Sequence, residues 1–201
     1  MKRPIAELLT MTLKPESEAE RRQHEHEAWQ ILRRKPGYIT HRIYADGQDP
    51  LRRLVYSEWE SKKAVDGARQ YLQGTPLMRR ARATLAANPT RQVVEIVGPV
   101  TSTKGLDLPD GALAVTAMAR LSDTDSSWPA REDRLWKVLA TQTGYLTHIR
   151  FHGFDDASLV GSLSHWLDAS ALDKALAHIQ TAAAADLPAD VVYVRYQPVR
   201  P

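Results

Sequence analysis

The chain is written twice. Sliding it against itself by 107 residues aligns 9–72 with 116–179 without a gap, and 14 of those 64 positions are identical. Two of the shared pairs are tryptophans, Trp29/Trp136 and Trp59/Trp166, and the run GYITH (Gly37–His41) recurs as GYLTH (Gly144–His148). Met11/Met118, Glu25/Glu132, Leu32/Leu139 and Ser57/Ser164 belong to the same alignment. A repeat of this kind makes each copy one supersecondary unit that buries its apolar face against its neighbour. The 201 residues divide into two such units of ordinary size.

Each copy has the same order of periods. Residues 4–14 alternate, with Ile5, Glu7, Leu9, Met11 and Leu13 on one face, which predicts a strand. Residues 16–34 place Ala28, Trp29, Ile31 and Leu32 at helical spacing among charges, and Pro36-Gly37 stops that helix. Strands are expected at 38–45 and 51–60, joined by the turn Asp46–Pro50. Ser61 is the expected N-cap of a helix from Lys62, followed by a further helical stretch at 75–87 and a strand at 91–99. The second copy predicts strands at 112–121, 145–153, 158–166 and 190–197, with helices at 128–142 and 168–185.

The order β-α-β-β-α-β is the split βαβ, or ferredoxin-like, unit. Its sheet carries helices on one face only, so the other face needs a cover. The expected fold is α+β: two ferredoxin-like units, 1–100 and 112–201, joined by a turn-rich linker 101–111. Their sheets face each other, forming a barrel within one chain, and their helices lie outside.

Charge excludes little. Residues 1–100 hold 18 Lys+Arg against 12 Asp+Glu (18 − 12 = +6), and residues 101–201 hold 9 against 12 (9 − 12 = −3). The basic clusters lack interleaved aromatics, so no nucleic-acid partner is expected. No apolar run approaches a membrane span, and the N-terminal stretch reads as a strand, so a cytoplasmic location and no membrane partner are expected. There are no cysteines, which excludes thiolate chemistry. No phosphate-binding glycine loop, HExxH or GxSxG occurs.

The candidate chemistry therefore lies in the repeated aromatics and histidines. Simple alternation puts Tyr38, Thr40, Arg42 and Tyr44 on one face of the second strand and Ile39, His41 and Ile43 on the other. His41 and His148 are either interface histidines or general bases. Trp59 and Trp166 close the third strand of each copy, with Ser57 and Ser164 two residues before them. The copies differ at His152, His165 and His178, where the first has Ala45, Glu58 and Tyr71; that directs attention to the second copy for a pocket. Arg52, Arg53, Glu58 and Glu60 read as exposed, as do His24 and His26, an i, i+2 pair that makes a poor chelate.

The segment PGYITHRIYADGQDPLRRLVYSEWESKKAVDG, Pro36–Gly67, resembles the antibiotic biosynthesis monooxygenase family of dimeric α/β barrels. The strand-ending Trp59-Glu60-Ser61 and Trp166-Leu167-Asp168 carry the resemblance into both copies. It implies a monooxygenase that oxidises a small aromatic or polyketide-like substrate with dioxygen and no cofactor, in a pocket between helices and sheet. Trp59 and Trp166 would then be pocket residues, and His41, His148 or His165 the base. Tyr38, Tyr145, Ser57 and Ser164 would be substrate-binding donors. Relatives that bind haem use an Asn on the first strand, which neither copy has, and His178 would be the axial ligand. A non-enzymatic ligand-binding or structural role is a further alternative. The duplication makes either a monomer with an internal pseudo-dimer or a homodimer expected.

Overall fold

The computed structural model describes residues 3–100, 102–122, 126–188 and 190–199. The expected boundaries 1–100, 101–111 and 112–201 also take in residues 1–2, 101, 123–125, 189 and 200–201, which lie outside this set. The first half runs β1 (Ile5–Thr12), α1 (Glu18–Leu32), β2 (Tyr38–Asp46), β3 (Arg52–Trp59), α2 (Lys62–Gln73), α3 (Pro76–Ala83) and β4 (Thr90–Val97). The second runs β5 (Leu113–Arg120), α4 (Trp128–Ala140), β6 (Tyr145–Gly153), β7 (Leu159–Trp166), α5 (Ala169–Ala182) and β8 (Val192–Pro198). The N-caps are those the turn chemistry demands. Ser61 accepts from the Ala64 amide and Asp168 from the Ala171 amide, each filling one orphan donor of its helix.

Each half orders its strands as a ferredoxin-like sheet, and the two sheets close into one eight-stranded barrel, β1-β3-β2-β8-β5-β7-β6-β4. All pairings are antiparallel. The sheets do face each other across the interior, and they also join at both edges. One seam pairs β2 with β8 through Asp46 and Tyr196, the other pairs β4 with β6 through Val94 and Gly153. The interior is filled by Ala6, Leu8, Tyr44, Leu54, Tyr56, Val94, Ile96, Ile149, Phe151 and Leu163, all essentially inaccessible to solvent. The outer faces carry a helix-covered core in each half, built around Trp29 and Trp59 and around Trp136 and Trp166. Among the described residues, no helix is long and apolar enough to cross a membrane.

The register corrects the sequence alignment at one strand. Ile5 pairs with Trp59, and Leu113 pairs with Trp166, so the offset on the first strand is 108 (113 − 5), one more than on the second and third strands. Met11 and Met118 are therefore not equivalent. Met11 packs under the helices while Met118 packs against the barrel interior, as a slip of one residue requires.

A second correction concerns the charges of the first half. Arg53 and Glu58 were expected at the surface, yet both are buried. Glu58 shares the interior parity of Leu54 and Tyr56. Its carboxylate accepts hydrogen bonds from the Thr103 amide (2.6 Å) and hydroxyl (2.8 Å), and from the Ser102 hydroxyl. The connection between β4 and β5 thus tucks into the barrel, and Arg42 donates to the carbonyls of Thr103 (3.1 Å) and Leu106.

Gly37 and Gly144 have φ of +78° and +83°, the region where a side chain is strained. A Cβ would also stand 2.7 Å from the Ala64 Cβ at Gly37 and 2.4 Å from the Ala171 Cβ at Gly144. Gly37→Ala and Gly144→Ala should each cost at least about 1–3 kcal/mol from the backbone alone. Gly67→Ala, in open space on α2, should gain about 0.5–1 kcal/mol. Urea unfolding midpoints measure all three; unaltered midpoints in the first two would contradict the stated role.

Candidate active site

The repeated aromatics and histidines form one constellation, built twice. A β-bulge falls between Tyr38 and Thr40, and again between Tyr145 and Thr147. The extra residue reverses the alternation, so Tyr38 and His41 share the outer face and Thr40, Arg42 and Tyr44 the inner. Simple alternation had placed Tyr38 opposite His41. His41 stacks on the Trp29 indole at 3.8 Å and 12°, and its Nδ1 hydrogen-bonds the Tyr38 hydroxyl at 2.7 Å. His148 stacks on Trp136 at 3.9 Å and 3°, and its Nδ1 meets the Tyr145 hydroxyl. Tyr38 and Tyr145 stand edge-on to Trp59 and Trp166. Each of those indoles donates its N–H to Ser57 or Ser164 at 3.0 Å. Burial, with Arg33 and Arg42 nearby, lowers His41 to about 4; burial, with Arg150, does the same to His148. Both rings are therefore neutral near pH 7, with one nitrogen already engaged.

The other histidines disperse. His165 is fully buried inside the barrel, where its Nε2 lies 2.9 Å from the Tyr44 hydroxyl. Burial and the Arg42 charge lower it to about 3. His178 is exposed on α5. His152 approaches the buried Glu132 at 3.8 Å.

Each half also holds a cavity between its helices and the barrel wall. The second-half cavity measures about 60 Å³ and is lined by Val115, Trp128, Trp136, Ser164, Trp166 and Leu176, among others. The first-half cavity measures about 150 Å³. Its floor is Leu9, Met11, Trp29, Val55 and Trp59, its wall includes Met78, Ala81 and Leu85, and its polar lining is Glu7, Arg21, His24, Glu25, Arg69, Gln73 and Arg82. Thus Trp59, Trp166 and Ser164 border cavities, whereas His41, His148, His165, Tyr38 and Tyr145 line neither of these two.

The pair of cavities explains its own asymmetry. Counterparts by register and repeat are Glu7 and Val115, Arg21 and Trp128, Arg69 and Leu176. In the second half every one of these charges is apolar, and the Trp128 indole takes up space where the first half has a guanidinium. The third wall of the roomier cavity comes from α3, a helix with no counterpart among the described residues of the second half. The histidine difference between copies pointed to the second; the larger of the two cavities is in the first.

His24, expected at the exposed surface, is partly buried. It lines the first cavity, and its Nδ1 is buried without a hydrogen-bond partner. A signal was available: Arg21, His24, Glu25, Ala28 and Leu32 follow helical spacing on α1 and all face the cavity. Arg21 is held by Glu25 at 2.9 Å and touches the Met11 sulfur at 2.9 Å.

A pseudo-symmetric antiparallel barrel of two ferredoxin-like sheets, with helix-covered cavities outside, is a dimeric α/β barrel folded within one chain. Residues 4–83 match the sequence profile of the antibiotic biosynthesis monooxygenase family. The match lies within the first half of the chain, and the second half repeats the fold of the first. No curated protein matches the chain in sequence. Among solved structures, it is similar to a candidate monooxygenase of Fusobacterium nucleatum, with 10% identity over 99% of this chain and 94% of that one and a TM-score of 0.72. A candidate monooxygenase of Lactobacillus acidophilus shares 10% identity over 98% and 94%, with a TM-score of 0.68. An anthrone oxidase-like protein shares 13% over 100% and 92%, with a TM-score of 0.63. These likenesses establish a shared fold across the whole length.

Stacked, neutral imidazoles carry a pH signature. An imidazole whose folded value is lowered to about 4, as at His41 and His148, stabilises the fold above the unfolded value near 6.5. That contribution is lost as pH falls through this window towards 4, because the unfolded chain binds the proton first. The double variant His41→Phe/His148→Phe keeps the stacks and removes both protons. Its melting temperature should fall less steeply than the wild type's between pH 6.5 and 4; parallel curves would refute the assignment.

Proposed function

We propose that the chain is a monooxygenase acting on a small aromatic or polyketide-like substrate, with the reaction in the first-half cavity and no cofactor. The observation that carries this reading is a coincidence. The half that matches the monooxygenase family is the half with the larger of the two cavities, about 150 Å³ against about 60 Å³, and that cavity adds an unpaired imidazole nitrogen to its floor of two indoles. Trp59 and Trp29 form the aromatic floor, and the His24 Nδ1 is the base. Deprotonation of a phenol or an activated C–H gives an electron-rich anion that reduces dioxygen directly. At an activated CH₂, one oxygen atom becomes the new carbonyl and the other leaves as water with the two displaced hydrogens. The substrate's own electrons are the reductant. Gln73 and Arg21 line the same cavity and supply donors for the developing oxyanion.

The barrel is closed within one chain, which supports a monomer as the working unit. The Tyr38 and Tyr145 hydroxyls and the Trp59 and Trp166 N–H groups are engaged within the scaffold, so they act by holding the cavity walls.

Oxygen uptake on a panel of anthrones and hydroquinones tests the proposal. The wild type should consume dioxygen, and His24→Ala should lower kcat by about 10²-fold, the usual size of a general-base effect. Loss of turnover in His148→Phe with full turnover in His24→Ala would move the chemistry to the second half. No uptake on any member of the panel would overturn the reading.

A further inference from the structure

The charges at the mouth of the first-half cavity are more numerous than a scaffold needs. Glu7, on β1, is held by the Arg91 guanidinium at 2.5 Å and the Arg69 guanidinium at 3.3 Å. Arg91 also reaches Asp66 at 3.0 Å. Arg82, from α3, lines the same cavity close enough for its charge to act on Arg69, and among the described residues it has no ion-pair partner. Lys62 holds Asp66 as well, at 2.7 Å. Three guanidinium groups and one ammonium therefore meet two carboxylates, and among the described residues Arg82 is the cation left without one. Arg69 is partly buried, and burial and the neighbouring arginines disfavour its charge, against the pull of Glu7 and Asp66.

The second half is an internal control. Its residues at the places of Glu7, Arg69 and Arg91 are Val115, Leu176 and Tyr193. The same barrel strands and the counterparts of α1 and α2 form there without a charge at any of the three positions, so those elements do not require the network. Arg69 and Arg91 are partly buried, and Arg82 is exposed. Holding and partly desolvating Arg69 and Arg91 has a cost, and an anion seated at Arg69 and Arg82 offsets it.

We propose that the first-half cavity recognises an aromatic ligand bearing a carboxylate, its ring on the Trp29–Trp59 floor and its acid group at Arg69 and Arg82. Arg91 holds Glu7, and Glu7 in turn positions Arg69 to face the ligand. This rests on the cavity being the binding site and adds the chemical class of what it takes. An apolar ring buries against indole and aliphatic side chains, while a carboxylate at a guanidinium gains a charge-assisted, two-pronged hydrogen bond.

Quenching of tryptophan fluorescence measures the binding of two probes of the same shape, 4-hydroxybenzoate and the neutral 4-hydroxybenzamide. The acid should bind about tenfold more tightly than the amide, the size expected for a hydrogen bond to a charged group. Arg82→Gln and Arg69→Leu, the latter installing the second half's residue, should each bring the acid-to-amide ratio towards one. Circular dichroism confirms that each variant is folded. Equal affinities for the two probes in the wild type, or a ratio unmoved by both substitutions, would overturn this proposal and leave the cavity reading standing. Binding of neither probe would overturn both.

Discussion

Everything in this structure depends on pairing at two seams. A four-stranded ferredoxin-like sheet has two open edges and one uncovered face, and each is a liability in water. Pairing β2 with β8 and β4 with β6 removes both edges, and it turns the two uncovered faces into one interior. Backbone bonds just beyond the ladders extend both seams: Gly47 N–H to Arg195 O at 2.9 Å on one, Phe154 N–H to Val93 O at 3.0 Å on the other. Because the seams join halves of one chain, closure is intramolecular and independent of concentration. That frees the outer faces from having to match, since only the seams and the interior must fit.

The outer faces show what that freedom allowed. Both keep the stack of imidazole on indole, the edge-on tyrosine and the Ser–Trp hydrogen bond, because these fix the first helix and the third strand to each other. Around that shared frame, one cavity carries several charges and has α3 as a wall, while the other is smaller and, Glu132 apart, lined by uncharged and mostly apolar residues. The repeated residues are the scaffold, and the residues that differ define the site.

The topology was legible because duplicated periodicity speaks twice: the same strand and helix lengths appear in both copies, and the Gly-ended helix and Trp-ended strand mark the same corners. Face assignments were less legible. A bulge at Ile39 and Leu146 inserts one residue without any sequence signature, and one residue exchanges the faces of Tyr38 and Tyr145. The offset of 108 on the first strand had the same effect on Met11 and Met118. The site was obscured for a different reason. His24, Arg69 and Arg82 look like ordinary charges on exposed helices, and only the gap between those helices and the sheet reveals that they face a cavity. Glu58 was misjudged because its partners lie 44 and 45 residues away, in the connection between the halves.

That connection also accounts for the largest asymmetry inside the barrel. Glu58 and His165 occupy equivalent places, both fully buried. A buried carboxylate needs donors, and the Thr103 amide and hydroxyl with the Ser102 hydroxyl supply them. A chain of two halves has only one connection between them, so only one such carboxylate is satisfied. At the other position a second glutamate would be an uncompensated charge. An imidazole lowered to about 3 carries no charge near neutral pH, and its Nε2 bonds the Tyr44 hydroxyl across the interior. A symmetric barrel of two identical chains has no such choice at this position, because both places must hold the same residue.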